Sequence, residues 1–124
     1  ASIEDVIFHV AQNVSRSLIW SEGRDFSLEQ LTTLAVKLKS NTSLTSLVFN
    51  AIPLADSGLA VLATGLASAC SLTSLTLYNT KLTVEGGRSL ALILRETTSI
   101  HYLNLDRNNI TVAGGYALGL LLQT

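Results

Sequence analysis

The chain contains no methionine, one cysteine and one proline in 124 residues. With Cys70 alone, an internal disulfide is excluded, and so is any metal or redox motif built on two thiols. Charge is scarce too. Asp, Glu, Lys and Arg make up 14% of the residues, well under the roughly 25% of an ordinary soluble protein. The net charge of −1 leaves no basic footprint for nucleic acid. No apolar run approaches the ~20 residues of a membrane-spanning helix, so no membrane partner is expected. The lack of methionine, at position 1 as elsewhere, is what a piece cut from a longer protein would show. The lack of paired cysteines points to an intracellular, cytoplasmic protein. Three N-x-[ST] triplets, at Asn13, Asn41 and Asn109, are read as chance matches in a chain rich in Ser and Thr.

What the chain does have is a repeat. Leu72–Ser99 recurs 28 residues earlier, from Leu44, and 28 residues later, from Ile100. Large apolar residues coincide without a gap: Leu47, Leu75 and Leu103; Phe49, Leu77 and Leu105; Leu62, Leu90 and Leu118. Gly58, Gly86 and Gly114 share a column, and so do Ser15, Ser43, Ser71 and Ser99. A degenerate copy occupies residues 16–43, and residues 1–15 read as the helical half of a further unit, with Ile3, Val6 and Val10 at helical spacing. The predicted organisation is one domain over residues 1–124, with a partial repeat 1–15 and repeats 16–43, 44–71, 72–99 and 100–124.

Each copy changes period part-way. Its first part, L-x-x-L-x-L, spaces apolar residues two apart, as a strand does. Its later part spaces them four apart, as a helix does. Each unit is therefore one strand, one turn and one helix. A lone unit cannot bury its own apolar face, so stacked neighbours must supply the core. Ser27-Leu28-Glu29-Gln30 reads as a capping box, and Asp56 is expected to cap the helix after Pro53. The paired glycines Gly86-Gly87 and Gly114-Gly115 match no phosphate-binding motif. They are expected to let a helix start approach the strand layer.

The pattern L-x-x-L-x-L-x-x-N-x-L-x-x-x-G-x-x-x-L-x-x-x-L, fullest in Ile100–Leu122, resembles the leucine-rich repeat of the ribonuclease-inhibitor type. The run Leu38–Leu47, LKSNTSLTSL, resembles that of NOD-like receptors of innate immunity. The resemblance implies an α/β solenoid, a right-handed β-α superhelix with short parallel strands on the concave face and helices on the convex one. It also implies an asparagine ladder between units. Here that column holds Asn108 but Thr80, Ile52 and Arg24 elsewhere, so a partial ladder is expected.

In such a fold the strand residues between the core leucines face outward. At 28-residue spacing these are Leu18, Trp20 and Glu22; Ser46, Val48 and Asn50; Ser74, Thr76 and Tyr78; and Tyr102, Asn104 and Asp106. The first strand has two competing registers. Ser15 and Phe26 flank it in step with the repeat, which exposes Trp20. A slip of one residue buries Leu18 and Trp20 and spares Arg16 and Ser21 the core. The flanking positions favour exposure. Trp and Tyr are enriched among interface hot spots. The expected site is then a protein-binding face anchored by Trp20, Tyr78 and Tyr102. Glu22, Asn50, Asn104 and Asp106 supply polar specificity, and Val48 and Thr76 lie between.

No catalytic, metal or cofactor site is written in the chain. His9 and His101 lack the companions that a metal or an activated nucleophile needs. Two other readings compete with a recognition module in a receptor or scaffold. One is a GTPase-activating protein of the Ran type, with Arg107 as the acting arginine. The other is a structural module that self-associates through uncapped ends, where Leu120, Leu121 and Leu122 close the chain.

Overall fold

A computed structural model describes residues 2–21, 26–97 and 99–110. Helices and strands alternate: α1 (Ile3–Gln12), β1 (Ser17–Ser21), α2 (Leu28–Ser40), β2 (Ser46–Asn50), α3 (Ala55–Ser68), β3 (Ser74–Tyr78), α4 (Val84–Glu96) and β4 (Tyr102–Asn104). The four strands form one parallel sheet in chain order. The helices pack in the same order along one face of that sheet. Arg24, Gly114, Gly115, Leu118 and Leu120–Leu122 lie outside the described residues, and so does the helical part of the last copy.

The core lies between the two layers. The strands send down Trp20, Leu47, Phe49, Leu75 and Leu77, all with no exposed surface. The helices answer with Val6, Leu34, Leu62 and Leu90, one column of the repeat. At about 25 cal/mol per Å² of apolar surface, each buried leucine contributes roughly 1.5–3 kcal/mol. No unit can collect this alone.

Polar bonds between units follow the same columns. The Ser43 hydroxyl donates to the Ser15 carbonyl (2.8 Å), Ser71 to Leu44 (2.7 Å) and Ser99 to Ala69 (3.4 Å). These three members of the serine column each reach back about one period to the backbone around the preceding helix-to-strand turn. Two asparagines close the gap between the first helices. Asn41, 3% exposed, donates its amide to the Val10 carbonyl (3.0 Å) and accepts from the Leu44 N–H (2.8 Å). Asn13 accepts from the N–H groups of Thr42 and Ser43. Both side chains are therefore structural.

The expected asparagine ladder is partial, as its column composition requires. Asn108 accepts from the N–H groups of Thr80 and Leu82 (3.0 and 3.1 Å) and donates to the Leu77 and Leu105 carbonyls (2.6 and 2.9 Å). Thr80 is buried and turns its hydroxyl to Leu77, while Ile52 fills the same place with hydrocarbon.

The helix starts differ from one another. Ser27 and Gln30 form the expected capping box, and Ser2 and Asp5 form a second one. Asp56 does not cap its own helix, which has no side-chain cap. Its carboxylate instead accepts from both the N–H and the hydroxyl of Thr83, one unit on. This explains Gly86. A Cβ there would come to 2.5 Å from the Asp56 carboxylate and 3.0 Å from the Leu82 Cβ, so the glycine clears both the preceding helix start and the leucine of its own strand-to-helix turn. Beyond β2, β3 and β4 the backbone turns left-handed without glycine, at Ala51, Asn79 and Arg107, with φ of 57°, 52° and 64°.

The tightest helix contact is at Gly65, where an added Cβ would lie 2.7 Å from the Ala35 Cα. In an isolated helix Gly→Ala gains about 1 kcal/mol. Here it must push α2 and α3 apart. Gly65→Ala is expected to lower stability by a net ~1–3 kcal/mol in chemical denaturation. A stabilised variant would show that the two helices yield freely.

Candidate functional site

One sheet face carries the helices, and the other is open. Strand pairing decides which side chains share the open face. Strands β2, β3 and β4 hold the 28-residue register: Val48 stands beside Thr76 and Thr76 beside Asn104, while Asn50 stands beside Tyr78 and Ser74 beside Tyr102. Adjacent strands lie about 4.8 Å apart, so these side chains form continuous rows. Val48, Asn50, Thr76, Tyr78 and Asn104 line a shallow depression of about 420 Å³. Tyr102 projects beside it, 55% exposed.

Strand β1 is the exception, and it overturns the expected exposure of Trp20. Its partners are Leu18 with Leu47, Ile19 with Val48 and Trp20 with Phe49, one residue out of step. Trp20 is completely buried, and Leu18 is half-buried against the core. Ile19 takes the open face instead, 62% exposed, between Ser17 and Ser21.

The cause is local. Helix α1 ends on Asn13 in the left-handed conformation, φ 57°, whereas α2 and α4 end on extended residues. The turn into β1 is shortened by one residue. The connection from β1 to α2 is longer by one, which restores step at Leu31 and Leu34. Burial reinforces the slip. Trp20 packs edge-on against Phe26 and Phe49, with ring centroids 5.4 and 5.7 Å away. Its indole N–H has no acceptor among the described residues. That orphan costs about 1–3 kcal/mol, less than a buried aromatic of this size contributes.

Other expected positions fall as follows. Glu22 lies outside the described residues. Asp106 is exposed just past β4, and its N–H takes the Asn104 side-chain oxygen (2.9 Å). Half of the Asn104 amide is therefore spent locally. Ile19 was missed at the sequence level. The signal lay in Arg16 and Ser21, which are poor core residues and exposed the strict register as costly. Among the described open-face positions on the four strands no side chain is charged, and Asp106 is exposed just beyond them. The surface suits contact by shape, apolar packing and neutral hydrogen bonds. Among the described residues, no group of three His, Cys, Asp or Glu side chains is placed to hold a metal. No described helix is long and apolar enough to cross a membrane.

No family model and no curated protein matches the sequence. Among solved structures, leiomodin-1 actin-binding site 2 is similar, with a TM-score of 0.78 at 17% identity. The match covers 98% of this chain and 72% of that one. At this identity the likeness concerns the fold, whose β-α repeat arrangement agrees with the periodicity of the sequence.

The correction at Trp20 gives a direct test. Trp20→Ala is expected to cost ~3–5 kcal/mol. Trp20→Phe keeps most of the packing and removes the orphaned N–H, so its cost should stay under about 1.5 kcal/mol. Urea denaturation of both variants checks this; equal, small losses would return Trp20 to the surface.

Proposed function

We propose that the chain is a non-catalytic recognition module of the leucine-rich repeat type, part of an intracellular receptor or scaffold. It binds a protein partner through the open, concave face of its sheet. The observation that carries the reading is the continuous uncharged row of Val48, Thr76 and Asn104 with Asn50, Tyr78 and Tyr102 around it. These side chains are rigid or short. A partner that covers them fixes few rotamers, which keeps the entropic cost of binding low.

The fold likeness to an actin-binding site of leiomodin-1 supports a protein-binding role and makes actin the first purified partner to test. The Ran-type reading rests on Arg107, which is exposed on a left-handed turn after β4. Nothing in the geometry around it favours that reading further.

The experiment is alanine substitution read by binding and by stability. Tyr78→Ala and Tyr102→Ala should each weaken partner binding by more than about 1 kcal/mol and leave the fold intact. Leu75→Ala should instead cost ~2–5 kcal/mol of stability through a core cavity. Binding is measured first with purified actin, then with proteins captured from cytosol. A partner whose affinity ignores both tyrosines overturns the concave-face reading.

A further inference from the structure

The polar groups of the open face differ from those at its edge in being uncommitted. At the strand starts Thr45 and Thr73 spend their hydroxyls on the Arg16 and Thr45 carbonyls, at 3.0 and 3.1 Å. On the face itself Ser46, Ser74, Thr76 and Tyr78 carry hydroxyls, and Asn50 an amide, that bond to no other described residue.

Asn104 is the exception. Its side chain accepts from the Asp106 N–H (2.9 Å), which only the amide oxygen can do. That bond fixes which end of the amide is which. The nitrogen, with two N–H donors, bonds to no described residue and is left to the depression that Asn104 lines. Asn104 is thus a donor held in one orientation, among hydroxyls that can turn either way. Apolar surface lies at the other end of its row. Ile19, Val48, Thr76 and Asn104 stand on consecutive strands, in that order. At about 4.8 Å per strand, Asn104 is roughly 10 Å from Val48 and roughly 14 Å from Ile19.

We propose that the occupant of this face is an uncharged protein segment in extended conformation, laid across the strands. One of its main-chain carbonyls accepts from the Asn104 Nδ2. A large apolar side chain, three or four residues away, covers Val48 and Ile19. The proposal rests on the protein-binding reading of the same face and says what the partner is made of.

Backbone chemistry selects an extended segment. Such a segment arrives with unpaired N–H and C=O groups, each of which needs a partner once water leaves. The hydroxyls and amides of the face supply both kinds. A helix pairs its own backbone and asks for an apolar groove, which this face is not. Charge selects a neutral one. No charged side chain lines the depression. Asp106 and Arg107, just past β4, are both exposed and opposite in sign. An ionic group on the partner has nothing to pair with at the centre. Spacing agrees as well. An extended chain advances about 3.3 Å per residue, so three or four residues bridge the interval between the fixed donor and the apolar end.

The test starts from short random peptides displayed on phage and selected on the immobilised protein. Clones are kept when Tyr78→Ala or Tyr102→Ala abolishes capture. The strongest is made as a synthetic peptide and measured by calorimetry. It should be uncharged, carry a large apolar residue and show no helix by circular dichroism when bound. Asn104→Asp should weaken it about tenfold and leave the thermal midpoint in place, because a carboxylate still accepts from the Asp106 N–H but donates nothing. Ile19→Ser should weaken it severalfold, again without unfolding. If no captured clone depends on either tyrosine, the binding-face reading itself fails and the proposal with it. If clones depend on the tyrosines but are charged, gain helix on binding, or bind the Asn104→Asp variant as tightly as wild type, the face is in use and the proposal is overturned.

Discussion

The leucines of one β-α unit lie on the inner side of both its strand and its helix, and only an adjacent unit can cover them. That requirement makes the sheet parallel and orders both layers by sequence. It also leaves a row of backbone carbonyls at each helix-to-strand turn, which the next unit must satisfy. Ser43, Ser71 and Ser99 do so with hydroxyls and Asn41 with its amide N–H, while the Asn13 side-chain oxygen accepts from the N–H groups of Thr42 and Ser43. Buried leucines supply the driving force. These short polar side chains hold the units in register, since an unpaired buried carbonyl would cost more than its bond returns.

The units are not equivalent, and the differences sit where they are least costly. Asn108 ties β3 and the turn after it to its own unit, Thr80 offers its hydroxyl to Leu77 and to Asn108, and Ile52 fills the same position with hydrocarbon alone. Asp56 gives up its own helix start to bond Thr83, and Gly86 leaves room for it beside Leu82. The two faces of the molecule contrast in the same way. The open sheet face is neutral, with tyrosines and amides. The outer helix face exposes Phe8, Val36 and Leu92, three members of one column of the repeat.

Much of the fold was legible in the sequence because the period is strict and the leucines carry most of the energy. The order of helices and strands, the core columns and the Ser27 capping box all followed from spacing. The serine column was visible as a column, but its purpose was not, since the acceptors are backbone atoms of another unit. The open face was legible at Val48, Asn50, Thr76, Tyr78 and Asn104, where the period holds. It failed at Trp20. Spacing carries no information about the handedness of a single residue, and the left-handed Asn13 removes one position from the turn into β1. The poor fit of Arg16 and Ser21 to a core was the available warning. Asp56 failed for a related reason: a cap motif names a short-range partner, and the structure chose a longer-range one.

Among the described residues, the side-chain hydrogen bonds that join different units span 26 to 31 residues, one unit's reach and no more. Each unit therefore needs only its predecessor in order to dock. Such a chain can settle vectorially while it leaves the ribosome, because no strand waits for a partner made much later. The same property makes whole units the currency of its evolution. A segment of one period can be duplicated or lost in the gene, and the neighbours on either side still meet surfaces they already fit. The one-residue slip at β1, absorbed between two helices that stay in step, shows how little of that fit depends on loop length.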